Sequence, residues 1–211
     1  LFLLTISLIG RRFGPTAAGW LAGLPLVTGP ILFLLALEYG NAFAARAAVG
    51  ALAGVLASLA FTTTYARLAQ RRTWAGTLPW ALATWALCTS LLALVDFEWW
   101  SAALLALASV ALAPRFFPSV TAPLHANPMP PRELMLRMAT GAALTLAVSA
   151  GAPHLGVRLS GLLTVFPVLS VVLSVATHRT NGPAFTAALL RGLAHGMYAF
   201  TAFCLMIALA L

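Results

Sequence analysis

The sequence predicts an all-α, polytopic membrane protein: a bundle of about eight transmembrane helices arranged 3+2+3, with inverted-topology repeats as the outer triplets. Three observations lead there. Hydrophobic residues make up 62% and charged residues 8% of the 211 positions, and the mean hydropathy is +0.98; a soluble domain carries about 25% charged residues and needs them to cover its surface. The apolar runs are long, Ala/Leu-rich and free of alternation. They therefore read as helices rather than barrel strands, the only other form whose backbone is satisfied in lipid. Finally, an early stretch of the chain returns later at a fixed offset.

A spanning helix needs roughly 20 apolar residues. Residues 1–10 read as the end of a first helix, with Arg11 and Arg12 behind it. A signal peptide would carry its charges in front, so the chain is expected to be a fragment with this helix cut short. Further helices are expected over 16–37, 42–66, 78–95, 99–113, 133–150, 157–177 and 183–211. The shortest, 99–113, opens on Phe97, Trp99 and Trp100, which resemble an interfacial aromatic belt, after a polar turn at Asp96 and Glu98. Pro114, Pro118, Pro123, Pro128, Pro130 and Pro131 mark the one long connection, expected to be a semi-rigid linker with His125 solvated in it. The organisation is thus a first repeat (1–68), an inserted helical hairpin (78–113), a linker (114–132) and a second repeat (133–211), with no soluble domain.

Eight spans place alternate loops on opposite sides. One side then holds Arg11, Arg12, Arg67, Arg71, Arg72, Arg115, Arg132, Arg137 and Arg179, and the other holds Arg46 and Arg158 with Glu38, Asp96 and Glu98. This bias makes the first side cytoplasmic. It also accounts for the formal charge of +8, which comes from Arg alone; loop charges that orient helices explain it better than nucleic-acid binding does.

A shift of 142 positions overlays 12–61 on 154–203 without gaps. Five glycines coincide: Gly14/Gly156, Gly19/Gly161, Gly40/Gly182, Gly50/Gly192 and Gly54/Gly196. Pro25/Pro167, Phe43/Phe185 and Phe61/Phe203 coincide as well. Chance would give about 0.3 glycine pairs over this window, so the match is a duplication. Five spans precede the second copy, and an odd number inverts it. Inverted repeats are common in secondary transporters.

The matched residues indicate where a transport site would lie. Pro25 and Pro167 fall inside the second helix of each copy, where proline removes a hydrogen bond and clashes with the carbonyl four residues back. Gly29-Pro30 in the first copy reads as a stronger break still. Freed backbone groups survive in lipid only inside protein or beside a cavity, and paired interruptions in two halves point to a binding site. A packing kink is the simpler reading. Gly50/Gly54 and Gly192/Gly196 are small-xxx-small pairs and read as helix-packing faces, between the halves or in a homodimer.

Ionisable residues at membrane depth are functional candidates. Arg191 and His195, one turn apart on the last helix, have Val49 and Ala53 as counterparts. In a cavity, Arg191 would bind an anionic group and His195 would take up a proton near neutral pH. Otherwise Arg191 snorkels to the headgroups and His195 bonds a nearby carbonyl. Thr28, Thr164 and Ser170 lie near the breaks as hydroxyl contacts, with Thr28 and Ser170 at equivalent positions. Glu38 reads as an interfacial charge with Arg46 in reach, and His154 as an isolated loop histidine.

Cys88 and Cys204 each sit within an apolar run, as small hydrophobes, and imply neither a disulfide framework nor a metal site. No HExxH, CxxC, GxSxG or nucleotide loop is present. No enzyme activity, metal or cofactor is therefore expected, and the expected partners are the lipid bilayer and a small solute.

The stretch Gly161-Leu-Leu-Thr-Val-Phe-Pro167-Val, continuing to Thr177-His178, resembles the signature of the GlpM-like family of short bacterial inner-membrane proteins. Residues 19–40 match it more loosely, with Leu-Pro where the second copy has Phe-Pro. The resemblance covers both repeats but not 78–131, and it implies a fused, inverted duplication in a bacterial inner membrane. It assigns no residue a role. The expected function is a small secondary transporter or permease for a small, anionic solute, with a scaffold for envelope or polysaccharide assembly as the rival reading.

Overall fold

Glycine and proline set the turns of the chain. The computed structural model describes residues 5, 12–25, 28–120, 131–151 and 167–211, and every regular element among them is helical. Gly14 and Gly40 adopt φ of +87° and +86°, a region that residues with a Cβ rarely enter. Gly14 leads into α1 (Pro15–Ala22), and Pro15 suits a first helical position because its missing N–H would be unbonded there anyway. The chain bends at 23–25, and α2 (Thr28–Tyr39) begins three residues past Pro25. Gly40 then turns it within a single residue into α3 (Asn41–Leu68).

Next come α4 (Trp74–Leu92), α5 (Trp99–Leu112) with a 3-10 turn (Ala113–Phe116), α6 (Pro131–Gly151) and α7 (Val168–Ala210). The last of these is not straight. Gly182, at φ +83°, folds it into limbs 168–181 and 183–210. The hydroxyls of Thr177 and Thr186 stand 3.0 Å apart across the bend, whereas nine residues of straight helix would span roughly 13 Å.

Several connections meet at one end of the bundle. Arg67 donates from Nε to the Phe116 carbonyl (2.7 Å), Gln70 donates to the Pro183 carbonyl (3.3 Å), and Arg179 lies over the Trp74 ring at 5.6 Å. The end of α3, the start of α4, the 3-10 turn and the α7 bend are thereby gathered, and with them Arg67, Arg71, Arg72, Arg115 and Arg179 of the arginines that the loop-charge argument groups together. Because Gln70 follows α3 while Pro183 opens the 183–210 limb, these two long segments pack antiparallel.

They also form the core. Leu52, Val55, Phe61 and Tyr65 of α3 and Leu173, Leu190 and Leu193 of α7 are fully buried, and α4 and α5 flank α3. Large apolar side chains instead cover the outside: Phe33, Leu37, Trp80, Leu87, Leu91 and Leu104 are all exposed. A surface of this kind belongs in lipid rather than water. Asn41–Leu68, Trp74–Leu92, Trp99–Phe116 and Val168–Ala210 are long and apolar enough to cross a membrane.

The structure differs from expectation in four places. The described residues form seven α-helices, not eight. The span expected over 16–37 is two pieces, because Pro25 ends the first. Gly29-Pro30 is not a further break, since α2 runs through it without interruption from Thr28 to Tyr39. The helices expected over 157–177 and 183–211 join directly at Gly182 with no loop between. Of the expected helix over 1–10 only residue 5 is described, and residues 157–166 and linker positions 121–130 lie outside the described residues.

Candidate functional site

The two prolines do the same thing. The Pro25 carbonyl accepts the Gly29 amide and the Pro167 carbonyl accepts the Val171 amide, each at 2.9 Å. A proline cannot continue a helix from behind, but its carbonyl is free to accept a helical bond from ahead; Pro167 caps the start of α7, and Pro25 stands three residues before α2. Thr28 is half-buried in the first turn of α2, and Ser170 is buried in the first turn of α7. Thr164 lies outside the described residues.

The first break sits deep in the bundle. Backbone packs on backbone where α1 crosses the 183–210 limb: Gly192 faces Thr16, Gly196 faces Trp20 and Gly23, and Gly19 faces Leu189. A Cβ on any of these glycines would overlap main chain, so close approach requires them. Gly196 lies 13 residues beyond Pro183, roughly 20 Å along the helix and near a bilayer's middle. The paired glycines of α3 differ: Gly54 is buried, but a Cβ on Gly50 would meet nothing within 4 Å.

The Arg191–His195 pair does not face an interior. Arg191 is exposed on the outer side of the 183–210 limb, and His195 donates from Nδ1 to the Arg191 carbonyl at 2.7 Å. That is a bond within its own helix, which the simpler reading of the pair anticipates.

Of the buried serine and threonine hydroxyls among the described residues, Thr62, Thr77 and Thr89 lie in α3 and α4, and the other five lie in α7. Ser170, Ser174 and Thr177, at i, i+4 and i+7, form a buried hydroxyl stripe, joined by Thr186 across the bend; Thr201, further along the second limb, is buried as well. Thr177 donates to the Leu173 carbonyl at 2.7 Å. The hydroxyls of Ser174 and Thr201 are buried without a hydrogen bond, an arrangement that costs free energy in a dry interior. At the equivalent buried positions the first half carries Leu32, Ala44 and Leu59. This contrast was present in the repeat alignment, where three aliphatic residues face three hydroxyls.

Arg137 was not foreseeable in that way. Grouped by sequence with the orienting arginines, it is 4% exposed. One terminal nitrogen donates to the Thr180 hydroxyl at 3.0 Å, and Nε lies 3.6 Å from a Glu133 oxygen, an ion pair too long for a hydrogen bond. The Thr180 and Asn181 side chains are bonded at 2.6 Å. Beside them the Tyr65 hydroxyl lies 3.4 Å from His178 Nδ1, with the rings edge-on. A polar cluster therefore surrounds the Gly182 bend at the arginine-rich end.

Among the described residues no three His, Cys, Asp or Glu side chains come together as metal ligands. Cys204 is fully buried and Cys88 partly so. Compared with protein-family models, curated proteins and solved structures, the chain matches none.

Proposed function

We propose that the chain is a multi-pass protein of a bacterial inner membrane, a 3+2+3 arrangement of inverted halves, and that it acts as a small secondary transporter. A small solute passes by alternating access about the breaks at Pro25 and Pro167. One observation carries this reading: matched prolines accept the same hydrogen bond from ahead, at corresponding positions of two segments whose following long helices run antiparallel. The Gly40 and Gly182 turns, alike in φ, support the same duplication. So does the resemblance of the second copy to the GlpM-like family, which adds no residue roles.

The test places single cysteines at Thr28 and Ser170, with Cys88 and Cys204 replaced by Ala. Membrane-impermeant thiol reagents added from either side should label both positions, each from the side that is open. Full protection of both from both sides would sink transport. The rival reading, a non-transporting scaffold for envelope or polysaccharide assembly, draws on the open space at Gly50. It expects Gly50→Leu to abolish a partner contact while labelling at Thr28 and Ser170 stays absent.

A further inference from the structure

A buried guanidinium whose Nε is left without a hydrogen bond asks for an anion. Arg137 offers five N–H donors, and the described contacts occupy one of them, on Thr180. Its Nε is buried without a hydrogen bond, although Glu133 stands 3.6 Å away as a counter-charge. Burying a guanidinium so incompletely bonded is costly. Thr180 and Asn181 immediately precede Gly182-Pro183, where a 28-residue limb begins and its first amides lack intrahelical acceptors. The positive end of that helix thus opens close to the Thr180 hydroxyl that Arg137 grips.

We propose that Arg137, held in place by the Thr180 hydroxyl, binds a small oxyanion together with the Asn181 amide group and the amides opening the 183–210 limb, at the arginine-rich end of the bundle. The ligand class is a carboxylate or phosphate group, matched by a planar guanidinium fork. Glu133 acts as the resident stand-in: at 3.6 Å it neutralises Arg137 without filling its donors, and an incoming oxyanion takes its place. As the substrate class of the transporter, this inference rests on the reading above. As a binding site, it does not. It moves the anion-binding role from Arg191, which is exposed on the outer face, to Arg137.

The experiment measures binding apart from transport. The full chain is reconstituted in phosphatidylcholine nanodiscs, and thermal unfolding is followed while inorganic phosphate or acetate replaces chloride at constant ionic strength. Either oxyanion should raise the Tm saturably. Arg137→Gln should weaken the apparent affinity at least tenfold, and Arg191→Gln should leave it unchanged. Glu133→Gln, which removes the competing carboxylate, should tighten it several-fold, and this variant decides the matter if Arg137→Gln does not fold.

A lipid phosphodiester shares the chemistry. A parallel arm therefore uses discs containing phosphatidylglycerol and no added anion. Stabilisation there that depends on Arg137 assigns the site to a lipid headgroup, whereas stabilisation by the free anions alone assigns it to a solute. The proposal is overturned if neither arm depends on Arg137 or if Glu133→Gln fails to tighten binding. Saturable, Arg137-dependent binding without uptake into proteoliposomes would keep the site and discard the transporter.

Discussion

Residues 25–68 and 167–210 share three backbone features and differ in what they bury. Each has a proline whose carbonyl accepts a helical bond from ahead, a left-handed glycine that turns the chain, and a long helix beyond. Yet the first half lines its interior with Leu32, Ala44 and Leu59, where the second places Ser174, Thr186 and Thr201. The glycine faces diverge as well, since Gly192 is packed against Thr16 while Gly50 borders open space. Two segments can hold the same backbone devices and still differ in interior chemistry, because turns depend on φ and proline geometry whereas a lining depends on side chains alone.

The largest expected effect tests the glycine faces. Gly196→Leu should destabilise the protein by about 3 kcal/mol or more, because the new side chain has only main chain to displace, while Gly50→Leu should change stability by less than about 0.5 kcal/mol. Thermal unfolding in detergent reads both, and equal losses would break the contrast. The turns should instead behave alike. Gly40→Ala and Gly182→Ala should each cost about 1–3 kcal/mol, the strain of a Cβ at such backbone angles. A cost at one position only would mean that the halves do not share this device.

Charge comes next. Arg137→Gln should lose about 2 kcal/mol by leaving Glu133 without its partner, whereas Arg191→Gln should stay within about 0.5 kcal/mol of the parent in the same unfolding assay. The smallest expected change concerns the lining. Ser174→Ala and Thr201→Val remove hydroxyls that make no bond, so stability should hold or rise by up to about 1 kcal/mol, while solute uptake into proteoliposomes falls. Thr177→Val, which removes bonds to Leu173 and Thr186, should lose about 1 kcal/mol. If uptake survives the Ser174 and Thr201 substitutions, the hydroxyl stripe is packing and the halves differ only in composition.

Much of the helical scaffold was legible in the sequence. The helix class followed from composition, which leaves few charges to face water. The end of α1 before Pro25 followed from proline's missing N–H, and the grouping of Arg67, Arg115 and Arg179 at one end followed from charge counted along alternating loops. Each of these is a local rule, complete in the residue and its neighbours.

What the sequence could not decide were distances across the fold. Arg137 looked like any other orienting arginine until Thr180, on another helix, came within 3.0 Å, and Arg191 stood between a cavity and the headgroups until its helix face proved to be the outer one. A helix turns a side chain inward or outward according to which neighbours pack against it, and those neighbours lie far along the chain. The paired breaks belong to the sequence. Which charge stands among them belongs to the tertiary structure, because burial is a property of contacts and no residue carries it alone.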